Sequence, residues 1–154
     1  MDTTTITFTQ EPLVSVWDEA MALAPAHWME SALLLNHPQQ MNRALYDALE
    51  ANGSLRCFAA RDDGRLIGYA SYLLSPSLHA AGIQASQDTV YLDPSVRGRK
   101  IGSEFLQWIE ADLMAAGVTA IYQHAADQSP MAGYLRHHGY RETHRLFVKE
   151  MVNG

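Results

Sequence analysis

The chain contains 154 residues, of which 47% are hydrophobic and 18% charged, a composition typical of a single globular domain spanning residues 1–154. Its formal net charge of −6 argues against broad binding to nucleic acid, which needs a positively charged face. No apolar stretch approaches the ~20 residues that a membrane-spanning helix needs, so no membrane association is expected.

The N-terminal third of the chain predicts one strand followed by three helices. Ile6–Thr9 alternates apolar and polar residues, which is typical of a strand. Apolar residues then recur at nearly helical spacing over Glu11–Ala24, and Pro25 is expected to end that helix. Two more helices are predicted over Trp28–Leu35 and Gln40–Glu50, the second stopped by an Asn-Gly pair.

The rest of the chain alternates strands and helices. Leu55–Arg61 and Leu66–Leu74 flank an Asp-Asp-Gly-Arg turn, which predicts a β-hairpin. Ile83–Leu92 is predicted to be extended, and Gly102–Ala116 carries the clearest amphipathic helix. This order predicts an α/β fold, a sandwich around a mixed sheet flanked by helices. The remaining predicted elements are the strand Val118–His124, the helix Pro130–His138 and the strand Arg145–Val152.

A basic turn precedes the predicted helix at Gly102. It reads Arg97-Gly98-Arg99-Lys100 and follows directly on a strand that ends near Leu92. The start of a helix presents unpaired N–H groups and the positive end of its dipole, so a glycine-containing basic turn there favours a phosphate or pyrophosphate. The glycine spacing excludes both the P-loop and the dinucleotide-binding fingerprint.

The turn also resembles the signature of the GNAT family of acyl-CoA N-acyltransferases. That signature has six positions: Arg or Gln at the first, Gly at the fourth, and Gly or Ala at the sixth. The corresponding string here is R-G-R-K-I-G over 97–102. The approach Tyr91–Val96 and the segment Gln128–Tyr140 resemble the family's sequence before and after that helix. The string His27–Glu30 resembles phage- and prophage-type members. The resemblance implies a mixed, mostly antiparallel GNAT-like sheet.

The resemblance further implies an N-acetyltransferase that moves an acetyl group from acetyl-CoA to a primary amine within a ternary complex. Acetyl-CoA would be a co-substrate, with backbone N–H groups near Leu92 polarising its thioester carbonyl. The acceptor would be an amine on a small molecule or a protein. The cofactor-binding residues implied in this way are Val90, Tyr91, Leu92, Arg97, Gly98, Arg99, Lys100, Ile101, Gly102, Ser103, Gln128 and Met131.

Three positions depart from the family pattern. Lys100 stands where the family commonly has its first glycine, and Gln128 replaces the usual Asn. The family's general-acid tyrosine lies four residues before the glycine of a Gly-aromatic pair, which here gives Leu135. Tyr134 is one residue away, about 100° around a helix, so it is a catalytic candidate that we do not expect to be indispensable.

The acceptor side offers several candidate residues. Strand alternation is expected to place Asp88 on the same face as Val90 and Leu92, where a carboxylate can bind the ammonium group or act as a base. His79, in the loop before that strand, is a second catalytic candidate, although a surface histidine is an equal alternative. His27, Trp28 and Glu30 are candidates for the acceptor-binding wall.

A rival interpretation is a non-catalytic GNAT-fold module that binds acyl-CoA as a sensor or interaction surface. Acetyl-CoA consumption in the presence of amines would separate it from an enzyme.

No pair of His or Cys residues has the spacing of a zinc site, so no metal is expected. Cys57 is the only cysteine, which excludes an internal disulfide and favours the cytoplasm; it is expected to be a buried apolar residue. A monomer or a homodimer is expected.

Overall fold

The centre of the protein is a five-stranded sheet with the order β1-β2-β3-β4-β5, seen in a computed structural model that describes residues 5–31, 37 and 39–151. Strands β1 to β4 are antiparallel to their neighbours, and β5 is parallel to β4. The predicted mixed, mostly antiparallel sheet flanked by helices is therefore confirmed. The strands are β1 Ile6–Gln10, β2 Leu55–Asp62, β3 Arg65–Pro76, β4 Ile83–Leu92 and β5 Val118–Tyr122.

Helices cover both faces of this sheet. On β2, alternate residues serve different faces: Cys57 and Ala59 pack toward the first two helices, whereas Phe58 and Ala60 pack toward the third. The third helix contributes five buried residues to the larger core, so it anchors the sheet, while the second contributes none. No helix among the described residues is long and apolar enough to cross a membrane. The helices are α1 Leu13–Ser31, α2 Arg43–Ala51, α3 Ile101–Ala115 and α4 Pro130–His137.

The predicted hairpin is confirmed at β2 and β3. The turn between them places Asp63 and Gly64 at φ values of 49° and 84°. Two successive residues with positive φ are the requirement of the tight turn that matches the twist of a hairpin, and Asp-Gly is a preferred pair for it. The local sequence therefore determines this connection.

Pro25 does not end the first helix, contrary to the sequence prediction. It lies inside α1, which continues to Ser31 and takes in the start of the helix predicted over 28–35; residues 32–35 lie outside the described part of the chain. An interior proline costs ~3 kcal/mol because it removes one hydrogen bond and crowds the preceding turn. Ala20 and Ala24 are buried on the turn before the proline, and His27 packs on the sheet after it, so tertiary packing offsets that cost.

The predicted last strand is wrong over the residues that the structure describes. Residues 141–151 contain no helix or strand, and Leu146, Phe147 and Met151 are exposed. A strand needs a neighbour to pair with, and apolar alternation in the sequence does not show whether a neighbour is present.

Candidate active site

Strands β4 and β5 separate halfway along β4 and leave an open edge on the sheet. Their parallel pairing runs only from Ile83 to Ser86 on β4, and β4 continues for six more residues, 87–92. The side-chain carbonyl of Gln87 accepts a hydrogen bond from the backbone N–H of His124 at 3.0 Å. This bond connects β4 to the segment that follows β5 at the point where the two strands separate. No other described strand pairs with residues 87–92 on this side.

Backbone groups of Val90 and Leu92 face this open edge. Asp93 donates its N–H to Ile67 on β3 at 2.7 Å. Because N–H groups alternate in direction along a strand, those of Leu92 and Val90 point away from β3. The Arg97 Nε group donates to the carbonyl of Leu92 at 2.8 Å, in agreement with that direction. The open edge therefore presents main-chain donors that can polarise a carbonyl oxygen.

The basic turn lies between this strand and α3. A short 3₁₀ segment, Pro94–Val96, leads into it, and Gly98 and Lys100 have φ values of 81° and 63°. Lys100 thus occupies a left-handed conformation that suits glycine, which explains why a glycine is compatible with this position. A Cβ atom on Gly102 would meet only Leu92 Cδ2, at 3.5 Å, so the first turn of α3 runs close beside the end of β4.

Arg97 also forms an ion pair with Glu30 across the entrance to this region. Its Nη2 lies 2.8 Å from Glu30 Oε2, and its guanidinium lies 5.5 Å from the centre of the Tyr91 ring. Both partners of the ion pair are 42% exposed, so solvent screens the pair and little free energy is needed to open it. Glu30 therefore faces Arg97 and is not among the residues that line the neighbouring cavity.

A cavity of about 370 Å³ lies on the other side of β4, between the sheet and the helices α1 and α2. Residues from α1, α2 and strands β2 to β4 line it. The predicted residues His27, Trp28 and Asp88 meet here, although 60 positions separate Trp28 from Asp88 in the sequence.

Asp88 reaches this cavity because it is the extra residue of a β-bulge. Gln87 pairs with Tyr72 and Thr89 pairs with Ser71, which leaves Asp88 without a partner on β3. The expectation that Asp88 shares a face with Val90 and Leu92 is therefore wrong: those two pack against the α3 core, whereas Asp88 faces α1 and α2.

Two neutral hydroxyl groups hold the Asp88 carboxylate. Tyr46 on α2 donates to Oδ2 at 2.6 Å, and Ser71 on β3 donates to the same oxygen at 2.8 Å. No Lys or Arg of the described chain forms an ion pair with Asp88. A carboxylate that is oriented by hydroxyl groups and forms no ion pair with a described Lys or Arg is suited to bind a cationic ligand.

His27 is one of two histidines on the cavity wall among the described residues; the other is His124. The Nδ1 atom of His27 lies 2.7 Å from the Tyr69 hydroxyl, and its ring stacks on Tyr91 at 4.9 Å between centroids. Burial lowers the pKa of His27 from its ordinary value, with a smaller downward contribution from Arg97 that nearby carboxylates oppose. The imidazole is therefore neutral near pH 7 and can accept a proton.

Two catalytic candidates lie outside the cavity. His79 is in the exposed loop 77–82, at the far end of the β3–β4 hairpin from Leu92. The Tyr134 hydroxyl donates to Glu110 on α3 at 2.6 Å, and burial together with that carboxylate raises the pKa of Tyr134. Both therefore remain predictions that the geometry does not bring to Asp88.

The remaining predicted residues are distributed as follows. Gln128 has a φ of 60° just before α4, and Met131 on α4 packs against the main core. Cys57 is buried, and burial raises the pKa of its thiol to about 12, which keeps it protonated. Within residues 5–31, 37 and 39–151, no group of three His, Cys, Asp or Glu side chains is placed to hold a metal ion.

Sequence reasoning missed Tyr46, Tyr69 and Ser71. Tyr69 and Ser71 are two residues apart on a strand and therefore share one face, which is the only sign of them in the sequence. Tyr46 gives no such sign, because the contact from α2 to Asp88 spans 42 residues and depends on the bulge.

A model of the acetyltransferase (GNAT) family matches residues 16–140, and the chain belongs to that family. The chain is 34% identical over 92 residues to an aminoalkylphosphonate N-acetyltransferase of Salmonella typhimurium, and the match spans 58% of each protein.

Solved structures share this fold at low sequence identity. An aminoglycoside acetyltransferase from an uncultured soil metagenomic sample, in complex with sisomicin, matches 97% of both chains with a TM-score of 0.77 and 10% identity. A ribosomal-protein-alanine N-acetyltransferase of Brucella melitensis matches 96% of this chain and 99% of its own, with a TM-score of 0.75 and 14% identity. A predicted acetyltransferase of Clostridium acetobutylicum, solved with acetyl-CoA, matches 94% and 96% with a TM-score of 0.72 and 13% identity.

Proposed function

We propose that the protein transfers the acetyl group of acetyl-CoA directly to a primary amine, with both substrates bound at once. One observation carries the proposal: residues 87–92 of β4 present an open main-chain edge on one side and Asp88 to a cavity on the other. An acyl donor that pairs with the edge and an amine that pairs with Asp88 would meet at the same strand.

The donor side is formed by the basic turn and the edge. Acetyl-CoA would supply the thioester, and its pyrophosphate carries the negative charge that suits the first-turn amides of α3. Gly98 and Gly102 leave those amides accessible, because neither residue carries a side chain. A Cβ atom added at either position would make at most an ordinary van der Waals contact with the protein. The amides of Val90 and Leu92 would stabilise the oxygen that becomes negative as the amine attacks.

The acceptor side is formed by Asp88 and His27. Asp88 orients the ammonium group, and either Asp88 through a water or the neutral His27 takes a proton from it. The amine nitrogen then bonds to the acyl carbon and loses its second proton to solvent, the C–S bond breaks, and the thiolate leaves and is protonated by solvent. Tyr134 takes no part in this proton transfer, because its hydroxyl donates to Glu110. Trp28 adds wall area, and Glu30 reaches an acceptor only when its ion pair with Arg97 opens.

The test combines turnover with donor binding. Release of CoA thiol is measured with acetyl-CoA and a panel of primary amines, and acetyl-CoA affinity is measured by calorimetry for Gly102→Asp. A carboxylate at Gly102 repels the pyrophosphate, so affinity is expected to fall at least tenfold. Ala111→Asp adds the same charge to an exposed position on α3 and is the matched control.

Three outcomes have distinct meanings. Unchanged affinity in Gly102→Asp would overturn the donor site. Acetyl-CoA binding without turnover of any amine would favour a non-catalytic acyl-CoA-binding module. Turnover of an amine by the parent protein, together with acetyl-CoA binding that is weakened in Gly102→Asp but not in Ala111→Asp, supports the proposed enzyme.

A further inference from the structure

The cavity next to Asp88 combines one fixed charge with a wall that is mostly apolar and aromatic, although Gln39, Ser71, Thr89 and His124 also line it. Among the described residues that line it, Asp88 is the only Asp, Glu, Lys or Arg. The wall on the α1 side is formed by Trp17, Met21 and Trp28. Trp17 makes an edge contact with Tyr46 at 6.1 Å between centroids, so the aromatic surface extends to the hydroxyl that holds Asp88.

The volume of the cavity limits the size of its ligand. At about 370 Å³ the cavity lies near the lower end of the roughly 300–1,000 Å³ typical of small-molecule sites. A single aromatic ring with a short aminoalkyl chain suits a cavity of that size better than a multi-ring aminoglycoside does.

We propose that the acceptor is a small primary amine with an uncharged, apolar body, such as an arylalkylamine or a branched alkylamine. This inference rests on the proposed function, because it takes the cavity beside Asp88 as the acceptor site. The ammonium group pairs with Asp88, and the body of the amine packs between Trp17, Met21 and Trp28. Burying such a body contributes ~25 cal/mol per Å² of apolar surface.

An anionic acceptor does not fit this wall. A phosphonate transferred into an apolar cavity needs a cation or several donors to replace its water. Residues 20–42 contain no Lys or Arg. Arg43 lies over the Trp17 ring and pairs with Asp47, and Arg97 pairs with Glu30; neither lines the cavity. Burial lowers the pKa of His27 and keeps it neutral near pH 7, which leaves His124 as the other imidazole on the wall.

A polycationic acceptor does not fit either. One carboxylate can neutralise one ammonium group, and every further ammonium group that enters the cavity would be desolvated without a partner. The preference inferred here therefore differs from the aminoalkylphosphonate and the aminoglycoside named for the relatives above.

The experiment compares primary amines whose bodies differ in charge and size. The kcat/KM values of 2-phenylethylamine, 3-methylbutylamine, 2-aminoethylphosphonate and sisomicin are measured at saturating acetyl-CoA, and binding of each amine is followed by calorimetry. The expected result is a kcat/KM for 2-phenylethylamine at least 100-fold above those of the phosphonate and of sisomicin.

Trp28→Ala tests whether the apolar body of the amine lies in the cavity. The KM for 2-phenylethylamine is expected to rise at least tenfold while the KM for acetyl-CoA stays within twofold. Met29→Ala truncates the next residue, which is 83% exposed and does not line the cavity, and is expected to change neither value.

The outcomes separate this inference from the proposed function. A kcat/KM for the phosphonate or sisomicin that equals or exceeds that of 2-phenylethylamine overturns the inference and leaves the enzyme standing. Binding of 2-phenylethylamine, weakened by Trp28→Ala, without any turnover overturns the proposed function and supports the site. Failure of 2-phenylethylamine to bind or react overturns the inference.

Discussion

Replacing Asp88 by Asn removes the charge from the acceptor cavity and leaves its shape unchanged. The amide keeps an oxygen that Tyr46 and Ser71 can still approach, as they approach Oδ2 in the parent at 2.6 and 2.8 Å. Hydrogen bonds to a charged acceptor are about twice as strong as neutral ones, so the fold should lose ~1 kcal/mol. For a chain of this length, such a loss lowers Tm by about 2–4 °C.

The effect on catalysis should be larger than the effect on stability. Removing one partner of a buried, hydrogen-bonded charge pair costs about 2–5 kcal/mol. Asp88 is half-buried, so we take the lower part of that range. At 1.4 kcal/mol for each factor of ten, ~3 kcal/mol corresponds to about a 100-fold loss of kcat/KM for the amine. Acetyl-CoA affinity should stay within twofold, because Asp88 faces the acceptor cavity.

The assay follows CoA thiol release between pH 6 and pH 9, with Asp18→Asn as the matched control. Asp18 is exposed on α1 and does not line the cavity, so the same change of group there should leave the rate unaltered. A loss in kcat indicates a base, whereas a loss confined to the amine KM indicates a binding group. If Asp88→Asn keeps the parent kcat/KM over that range, the assignment is wrong and His27 becomes the main candidate.

Two further predictions concern groups on either side of β4. Tyr134→Phe should lower kcat less than tenfold, because the hydroxyl it removes is bound to Glu110; a loss of 100-fold or more in steady-state turnover would show that the hydroxyl reaches the reacting atoms. His27→Gln should reduce the loss of folding stability that occurs as the pH falls below 6.5. Since burial lowers the pKa of His27 in the folded state, the unfolded chain binds more protons as pH falls below the ordinary value of 6.5, and the parent loses stability there. Urea midpoints at pH 7.5 and 5.5 measure this, and an equally steep fall in both proteins would contradict it.

The parts of the fold that the sequence predicts well are those specified by local chemistry. The Asp-Gly pair determines the β2–β3 turn. The apolar stripe of α3 predicts most of its buried face, although Met114 on that stripe is exposed, and it predicts the start of the helix within one residue. The basic turn is recognisable for the same reason, because its glycine and its charges lie within a few residues of a helix start. The start and end of β4, at Ile83 and Leu92, were predicted correctly.

The parts that the sequence does not predict depend on contacts between distant elements. A bulge needs two strands, so alternation within β4 alone assigned Asp88 to the wrong face. The continuation of α1 through Pro25 depends on packing against β3 that no helix signal contains. Tyr46 joins the site only because α2 crosses the sheet near the bulge. The donor side is therefore mostly local in origin, and the acceptor side is mostly tertiary.

Helix α2 contributes no buried residue, yet Tyr46 on it contacts the carboxylate at the centre of the acceptor cavity. Substitutions at its exposed positions usually change stability by less than about 0.5 kcal/mol, whereas Tyr46 and Leu49 pack against a small buried cluster. The donor side is different, because α3 carries five buried residues and shares the main core with the sheet. If the proposed function holds, altering α2 is therefore expected to change acceptor preference while α3 and the main core, which form the proposed donor side, are kept. Libraries randomised over 43–51 and screened against a panel of amines test this expectation.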